Sequence, residues 1–277
     1  MSVRNLCGGG GSAYAGCTLA ILVWIVGASA TCNAQQPFYT DNADVTAKGK
    51  FHMQFRNELD VLQRSSYPSL RQNTADFSLA YGLGNGMEIG LDSPVLSIFN
   101  SRVTSPNTAM GIGDTTVHLK YNFLKEREGS WLPAMTANMN VQFPTGDASR
   151  QLGSGLTDYW LNTIMQKSLS EQTKLRMNAG ILFAGNTLTG VIGIKTRGRV
   201  FTGGASIVKK FTEKLDFGVE VTGAVTSNFQ LSKGQLQVLV GGNYALKKSL
   251  TLDFGLIGGR FPASPRVGAQ LGFSADF

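Results

Sequence analysis

The chain has 277 residues, 16% of them charged, and a formal net charge of +7. This length suits one large domain or two ordinary ones, and the 34 glycines with the low charge favour a turn-rich β protein over a helical one. A mean hydropathy of -0.02 is low for a membrane protein. It does not exclude a transmembrane β-barrel, because only alternate residues of such strands face lipid.

The first 34 residues have the features of a cleaved secretory signal peptide. Arg4 supplies positive charge, and the stretch from Thr18 to Ala30 is apolar but too short to span a bilayer. Small residues permit cleavage after Ala34 or after Ala30, and we predict Ala34; the alternative is an uncleaved membrane anchor. Because all three cysteines precede Ala34, the mature chain is predicted to have neither a disulfide nor a thiolate metal site.

Beyond residue 50, apolar and polar residues alternate in one segment after another. Alternation over such lengths predicts β-strands with two unlike faces. The pattern is least regular at 158–167 and at 200–210. The twelve segments are 51–60, 76–83, 87–92, 115–123, 135–143, 158–167, 174–183, 200–210, 215–221, 235–244, 250–257 and 267–277.

The connections between these segments alternate in length. The short ones are 84–86, 125–130, 170–173, 212–214 and 247–249, and the long ones are 63–72, 92–113, 144–155, 186–198, 226–234 and 259–266. In an antiparallel sheet this brings all long loops to one end, as in outer-membrane proteins with short periplasmic turns and long external loops. We therefore predict an all-β fold, a transmembrane antiparallel up-and-down β-barrel of about 12 strands.

The predicted barrel covers residues 51–277, after the signal peptide 1–34 and a short periplasmic segment, 35–50. A secreted β-sandwich or lipocalin-like barrel would alternate in the same way, with its apolar rows turned inward. Asn and Gln in the polar rows, aromatic residues near strand ends and the unequal loops favour the membrane barrel.

The last strand continues to the final residue, Phe277. A closed barrel has no edge, so its last strand pairs with its first and can be used to its end. A terminal Phe on an alternating strand resembles the signal that the outer-membrane assembly machinery reads, which makes that machinery a predicted partner.

Four stretches, in this order, resemble one protein family. They are DNADVTAKGKFHMQFRNELD, YGLGNGMEIGL, GIGDTTVHLKYNF, and VQFPTGDAS followed by GSGLTDY. Together they are similar to the outer-membrane transporter family associated with the meta-pathway of phenol degradation. The resemblance implies the outer membrane of a Gram-negative bacterium and the uptake of small molecules, aromatic compounds among them. It assigns no functional residues.

The polar rows are predicted to line the lumen, and their charged and amide side chains are our candidates for selectivity. Twelve strands enclose less space than a porin barrel, so opposed charges either narrow the lumen by pairing across it or form a selective constriction. The sequence thus predicts a passive channel and leaves open a structural or adhesive barrel with a plugged lumen. The candidates are Arg56, Glu58, His118, Lys120, Asn138, Asn140, Arg176, Asp216, Glu220 and Asp253.

The long loops hold most of the excess positive charge, including Lys195, Arg197 and Arg199. Clustered arginine suits bidentate phosphate contacts, so outer-membrane lipid and lipopolysaccharide are predicted partners. A basic mouth also predicts anion preference at low ionic strength.

No catalytic arrangement stands out in the sequence. His52 and His118 fall on the polar rows without an evident nucleophile and orienting group. We therefore predict a small-molecule solute, no enzymatic activity, no cofactor, no metal and no nucleic-acid partner.

Overall fold

The structure, a computed structural model, describes residues 37–64, 71–99, 108–184, 198–226 and 234–277. A short 3-10 helix at Ala148–Arg150 follows β6. Within the described ranges, no helix has both the length and the apolar character needed to cross a membrane. The strands are β1 (Phe51–Leu62), β2 (Arg71–Gly84), β3 (Met87–Phe99), β4 (Thr108–Ile112), β5 (Thr115–Leu124), β6 (Ala134–Phe143), β7 (Asp158–Ser170), β8 (Thr173–Ala184), β9 (Gly198–Lys210), β10 (Leu215–Thr226), β11 (Gln235–Lys247), β12 (Leu250–Gly259) and β13 (Pro265–Asp276).

The strands form one closed antiparallel barrel. Strands adjacent in sequence pair with one another except β4 and β5, which both pair with β3, and β1 pairs with β13. The main chains of Phe51 and Phe277 exchange hydrogen bonds of 2.8 and 3.0 Å. The predicted pairing of the last strand with the first is therefore confirmed, and it uses the chain to its final residue.

One barrel strand is interrupted, so thirteen segments make the twelve predicted strands. β4 and β5 pair with successive parts of β3, and the break between them faces Pro94. Gly113 N donates to the Pro94 carbonyl at 2.7 Å. In an antiparallel ladder the N and C=O of one residue point to the same side, so Pro94 lacks a donor toward this strand. The Thr145 hydroxyl donates to the Gly113 carbonyl at 2.9 Å and replaces the missing hydrogen bond.

The five predicted short connections lie at one end of the barrel and the long ones at the other. We call these the short-turn end and the long-loop end. The difference in length is smaller than predicted, since the connection 125–133 is longer than 260–264.

Much of the stretch from 92 to 113, which the pattern predicts to be a loop, is strand in the structure. β3 continues to Phe99, where it pairs with β4, and β2 begins at Arg71, earlier than predicted. The added part of β2 is polar on both faces, so it lacks the apolar row on which the prediction depended. Hydrogen bonding to β1 and β3 on its two sides makes it a strand nonetheless.

The two faces of the barrel are apolar outside and polar inside. Outward-facing Leu256 and Phe77 are 66% and 51% exposed, whereas inward-facing Thr136 and Ser274 are completely buried. A soluble barrel has the opposite arrangement, with its apolar rows in the interior. The lipocalin-like alternative is therefore excluded, and the architecture is that of a transmembrane barrel.

Candidate functional site: the barrel lumen

The N-terminal segment, residues 37–50, enters the barrel, whereas the sequence pattern predicts it in the periplasm. Lys48 forms a bridge with Gly82 near the short-turn end. From there toward residue 37 the segment lies inside the short-turn half of the lumen, where Phe38 and Thr40 are 2% and 0% exposed. The segment has no apolar periodicity, so local sequence gives no sign of this position.

Lys120, a predicted lumen residue, anchors the middle of the N-terminal segment. Its side chain is 2% exposed. The ammonium lies 3.0 Å from the Asp41 carboxylate and donates to the carbonyls of Asn42 and Asp44 at 3.3 and 3.2 Å. These acceptors use all three protons of the ammonium. A buried cation that lost such partners would be strongly destabilising, so the contacts hold the segment in place.

Glu220, another predicted lumen residue, binds the segment nearer its start. One carboxylate oxygen accepts the Tyr39 N–H at 3.0 Å, and the other accepts the N–H and the hydroxyl of Thr40 at 2.5 and 2.6 Å. Three hydrogen bonds satisfy a carboxylate that is 1% exposed. Lys120 and Glu220 therefore bind the N-terminal segment. They do not pair with each other across the lumen, although the sequence allows such pairing between opposed charges.

Inward-facing glycines make room for the segment. A Cβ built on Gly204 would lie 2.8 Å from Thr40 Cγ2, and one on Gly218 would lie 2.9 Å from Phe38 Cζ. Such distances are below ordinary van der Waals contact, so a larger side chain would displace the segment. The wall and the segment are thus complementary in shape as well as in charge.

His118 contributes to the same arrangement through a neighbouring carboxylate. Its Nδ1 lies 3.0 Å from Asp92 Oδ2, and its Nε2 lies 3.6 Å from Glu88 Oε1. The other oxygen of Glu88 accepts the Thr46 N–H at 2.6 Å. His118 therefore orients a carboxylate that holds the segment near the short-turn end.

The remaining predicted residues of the short-turn half face inward without contacting one another as a group. Arg176 and Asp216 line a cavity of about 470 Å³ at this end. Asn138 is half-buried, and Asp253 is 2% exposed in the wall. They do not form a single constriction together with Lys120.

The long-loop half contains an open space above the segment. A cavity of about 490 Å³ lies beside a smaller one of about 240 Å³, and both are lined by Tyr39, Glu58, Asp60 and Trp160. We call the two lobes together the vestibule. Its floor includes Tyr39, whose hydroxyl donates to Glu58 at 2.5 Å and whose ring centre lies 5.2 Å from the Arg56 guanidinium.

The vestibule is strongly acidic. The Arg56 guanidinium binds Asp76 at 3.1 Å, and Asp92 is the carboxylate beside His118. Three predicted residues, Arg56, Glu58 and Asn140, line the larger lobe. In the part of the chain that the structure describes, its charged lining consists of one guanidinium, Arg56, and six carboxylates: Glu58, Asp60, Asp76, Asp92, Asp114 and Asp158.

Most vestibule residues are absent from the predicted set, Asp60 and Trp160 among them. Asp60 continues the inward row of Arg56 and Glu58, so the alternation could have identified it. Trp160 lies in the least regular predicted segment, between outward-facing Tyr159 and Leu161, and it faces inward. An aromatic residue on the polar row was the available signal.

The connection 144–157 folds inward at the edge of the vestibule. The Asp114 carboxylate accepts the N–H groups of Gly146 and Ser154 at 3.0 and 2.6 Å. Leu152 is 2% exposed and packs on apolar side chains of β3 and β4. The break between β4 and β5 lies beside Asp114, so the interrupted strand and the inward loop are linked.

Within this loop the PTGD stretch forms a turn. Asp147 caps the 3-10 helix and accepts the N–H and the hydroxyl of Ser149 at 2.9 and 2.6 Å. The hydrogen bond from the Ser149 hydroxyl lowers the pKa of Asp147 below its ordinary value. The ionised carboxylate is therefore the form that caps the helix.

Part of the predicted basic rim lies at the long-loop end. Arg199 is exposed beside Val200, which is 1% exposed and faces inward, so Arg199 lies on the outward face of β9. Arg71 is exposed on the outward face of β2 in the same way. Lys195 and Arg197 lie outside the described residues.

No protein-family model matches the chain, and no curated protein sequence matches it. Solved structures share its fold. The COG4313 outer membrane channel from Pseudomonas putida F1 has a TM-score of 0.60 at 13% identity, over 87% of this chain and 99% of that one. The NanC porin has a TM-score of 0.55 at 10% identity, over 80% and 98% of the two chains. A KdgM porin in complex with disordered oligogalacturonate has a TM-score of 0.53 at 12% identity, over 82% and 99%. At these identities the likeness shows a common fold.

Proposed function

We propose that this protein is an outer-membrane channel for the passive uptake of small molecules, without enzymatic activity. The observation that carries the proposal is the vestibule, whose larger lobe of about 490 Å³ has a charged lining, inside a barrel with an apolar exterior. The channel folds of similar structure support it. The proposed location is the outer membrane of a Gram-negative bacterium, reached after cleavage of the signal peptide at Ala34.

Aromatic compounds of the phenol type are the proposed solutes. The sequence resemblance to the transporter family of phenol degradation supports this class. The rings of Tyr39 and Trp160, which border the vestibule, offer faces on which an aromatic solute can stack. Influx of phenol into proteoliposomes, compared with that of glycerol, tests this finer proposal; equal influx would contradict an aromatic preference.

A second candidate function is a structural or adhesive barrel without transport. The N-terminal segment favours it, because Phe38, Thr40 and Asn42 are buried within the short-turn half of the lumen. A channel function requires a path beside the segment or movement of the segment away from Lys120 and Glu220.

Single-channel recording in planar bilayers distinguishes the two functions. We expect the purified wild-type protein to conduct. If both the wild type and a variant lacking residues 37–47 are silent although heat-modifiable gel migration shows a folded barrel, the structural function is favoured. Conductance only in the deletion variant would indicate a channel that the segment closes.

We also infer two contacts with the membrane environment. Phe277 directly follows β13 and lies beside Phe51, with ring centres 5.7 Å apart, and its removal is expected to reduce insertion by the assembly machinery. Lys195, Arg197 and Arg199 are proposed to bind lipopolysaccharide phosphates, because arginine pairs with phosphate in a bidentate manner. Their replacement by Glu should lower the amount of lipopolysaccharide that copurifies.

A further inference from the structure

Two buried acceptors in the vestibule wall have atoms without a partner. Asp60 and Gln72 are 5% and 7% exposed, and they are opposite each other in the ladder between β1 and β2. Within the described part of the chain, Asp60 Oδ1 and Gln72 Oε1 have no hydrogen-bond partner. Both side chains line the larger lobe. An unpaired buried acceptor is costly, so two at one place indicate a ligand that supplies protons or positive charge.

The neighbouring side chains do not supply that charge. Among the residues that the structure describes, Arg56 is the one guanidinium on the lining of the larger lobe, and it binds Asp76 at 3.1 Å. Glu58 lies two residues from Asp60 on the same inward row, and it adds a second carboxylate that accepts the Tyr39 hydroxyl. The smaller lobe is lined by Glu58 and Asp60 and, within the described ranges, by no basic residue. The electrostatic field of this space therefore favours a cation.

Trp160 gives the same space an apolar wall. It is 36% exposed although it faces inward, because its ring borders both lobes. The indole N–H donates to the Thr202 hydroxyl at 3.2 Å, which fixes the ring. A tryptophan ring attracts ammonium groups and also packs against their alkyl substituents. Carboxylates beside an indole thus favour an organic cation over an inorganic one.

The geometry points to a binding site in the vestibule for a small organic ammonium ion, held between the carboxylates of Asp60 and Glu58 and the ring of Trp160. This inference deepens the proposed channel function and rests on it for the passage of the ion, whereas binding itself does not depend on conduction. A metal ion is disfavoured, because no three His, Cys, Asp or Glu side chains among the described residues form a group that could hold one. The lobes of about 490 and 240 Å³ have room for an organic ligand.

Isothermal titration of the purified full-length mature protein with choline tests the inference. 3,3-Dimethylbutan-1-ol is the matched control ligand, since it has the shape of choline and no charge. We expect choline to bind and the alcohol to bind at least about tenfold more weakly, because the carboxylates act on the charge alone. Equal affinity for the two compounds, or no choline binding, would overturn the proposal. Either result would be expected if Glu58 and Asp60 shared a proton and did not attract the cation.

Variants locate the site. Asp60→Asn keeps the shape of the side chain and is expected to weaken choline binding about tenfold, and Trp160→Leu about threefold. Glu213→Gln, which removes a carboxylate at the short-turn end, should leave affinity unchanged. Unchanged affinity in Asp60→Asn would overturn the assignment. If that variant does not fold, the comparison of choline with the uncharged alcohol on the wild-type protein still tests the proposal.

Planar-bilayer recordings of the same preparations separate this inference from the proposed function. Choline binding in a barrel that never conducts would support the site and contradict the channel. Conduction without choline binding, and without block by choline added to the side of the long loops, would support the channel and reject the site.

Discussion

The two halves of the lumen differ in the partners that their buried polar side chains find. In the short-turn half, Lys120 and Glu220 find their partners on the N-terminal segment at 2.5 to 3.3 Å. In the long-loop half, Asp60 and Gln72 retain unpartnered oxygen atoms beside an open cavity. The strands that line both halves have the same alternation of polar and apolar residues. The difference therefore comes from the N-terminal segment, which lies in the short-turn half and supplies the partners of Lys120 and Glu220.

Removal of the segment should have the largest effect. Deletion of residues 37–47 is expected to raise single-channel conductance several-fold, because it empties the short-turn half of a twelve-strand lumen. A control of equal length, with Gly and Ser in place of these residues, keeps the chain but loses its anchors and should conduct similarly. Unchanged conductance in both variants would mean that ions already bypass the segment.

Loss of one anchor should loosen the segment without removing it. Lys120→Met leaves the Asp41 carboxylate without its cation, at a cost of about 3–5 kcal/mol for breaking a buried pair. We expect faster hydrogen exchange at the Thr40 amide, which donates to Glu220. Lys167→Met is the matched control, since that ammonium pairs with Glu126 outside the lumen contacts of the segment. Protection equal to that of the wild type would show that Lys120 is not an anchor.

Ion selectivity should distinguish the vestibule from the basic rim. The rim predicts anion preference, and that prediction stays untested, whereas the acidic vestibule favours cations. We expect the vestibule to dominate, because its charges line a confined path while salt screens the exposed rim. Reversal potentials in a KCl gradient should move toward anions in Asp60→Asn and, by a smaller amount, toward cations when Lys195, Arg197 and Arg199 become Glu. Anion preference of the wild type would identify the rim as the determinant.

The smallest effect is expected at the inward loop. Asp114→Asn weakens the hydrogen bonds from the Gly146 and Ser154 amides, at about 1–3 kcal/mol for a bond to a charged group. Their hydrogen exchange should accelerate while the barrel strands stay protected. Asp147→Asn alters only the helix cap in the same loop and serves as the control; acceleration by the control alone would contradict a role for Asp114.

The strands and their order were predictable because strand formation leaves a local pattern. Alternation identified all twelve barrel strands, and the predicted pairing of the last strand with the first is confirmed. The extension of β2 was missed, because its added residues are polar on both faces and become strand through pairing with two neighbours. Pro94 in β3 likewise shows how a residue that usually ends a strand is accommodated when Thr145 supplies the missing donor.

The amino-acid sequence by itself determined which residues face the lumen, since a period of two needs no distant contact. It did not determine what those residues bind. Tyr39 and Glu220 are separated by 181 positions. The N-terminal segment, which contains Tyr39, has no periodicity of its own. Only the closed barrel brings Lys120, Glu220 and the space beside Gly204 around one segment, and it leaves Asp60 Oδ1, in the vestibule above, without a hydrogen-bond partner among the described residues. Residues of one row thus become anchors or vestibule lining according to whether they lie beside the N-terminal segment or above it.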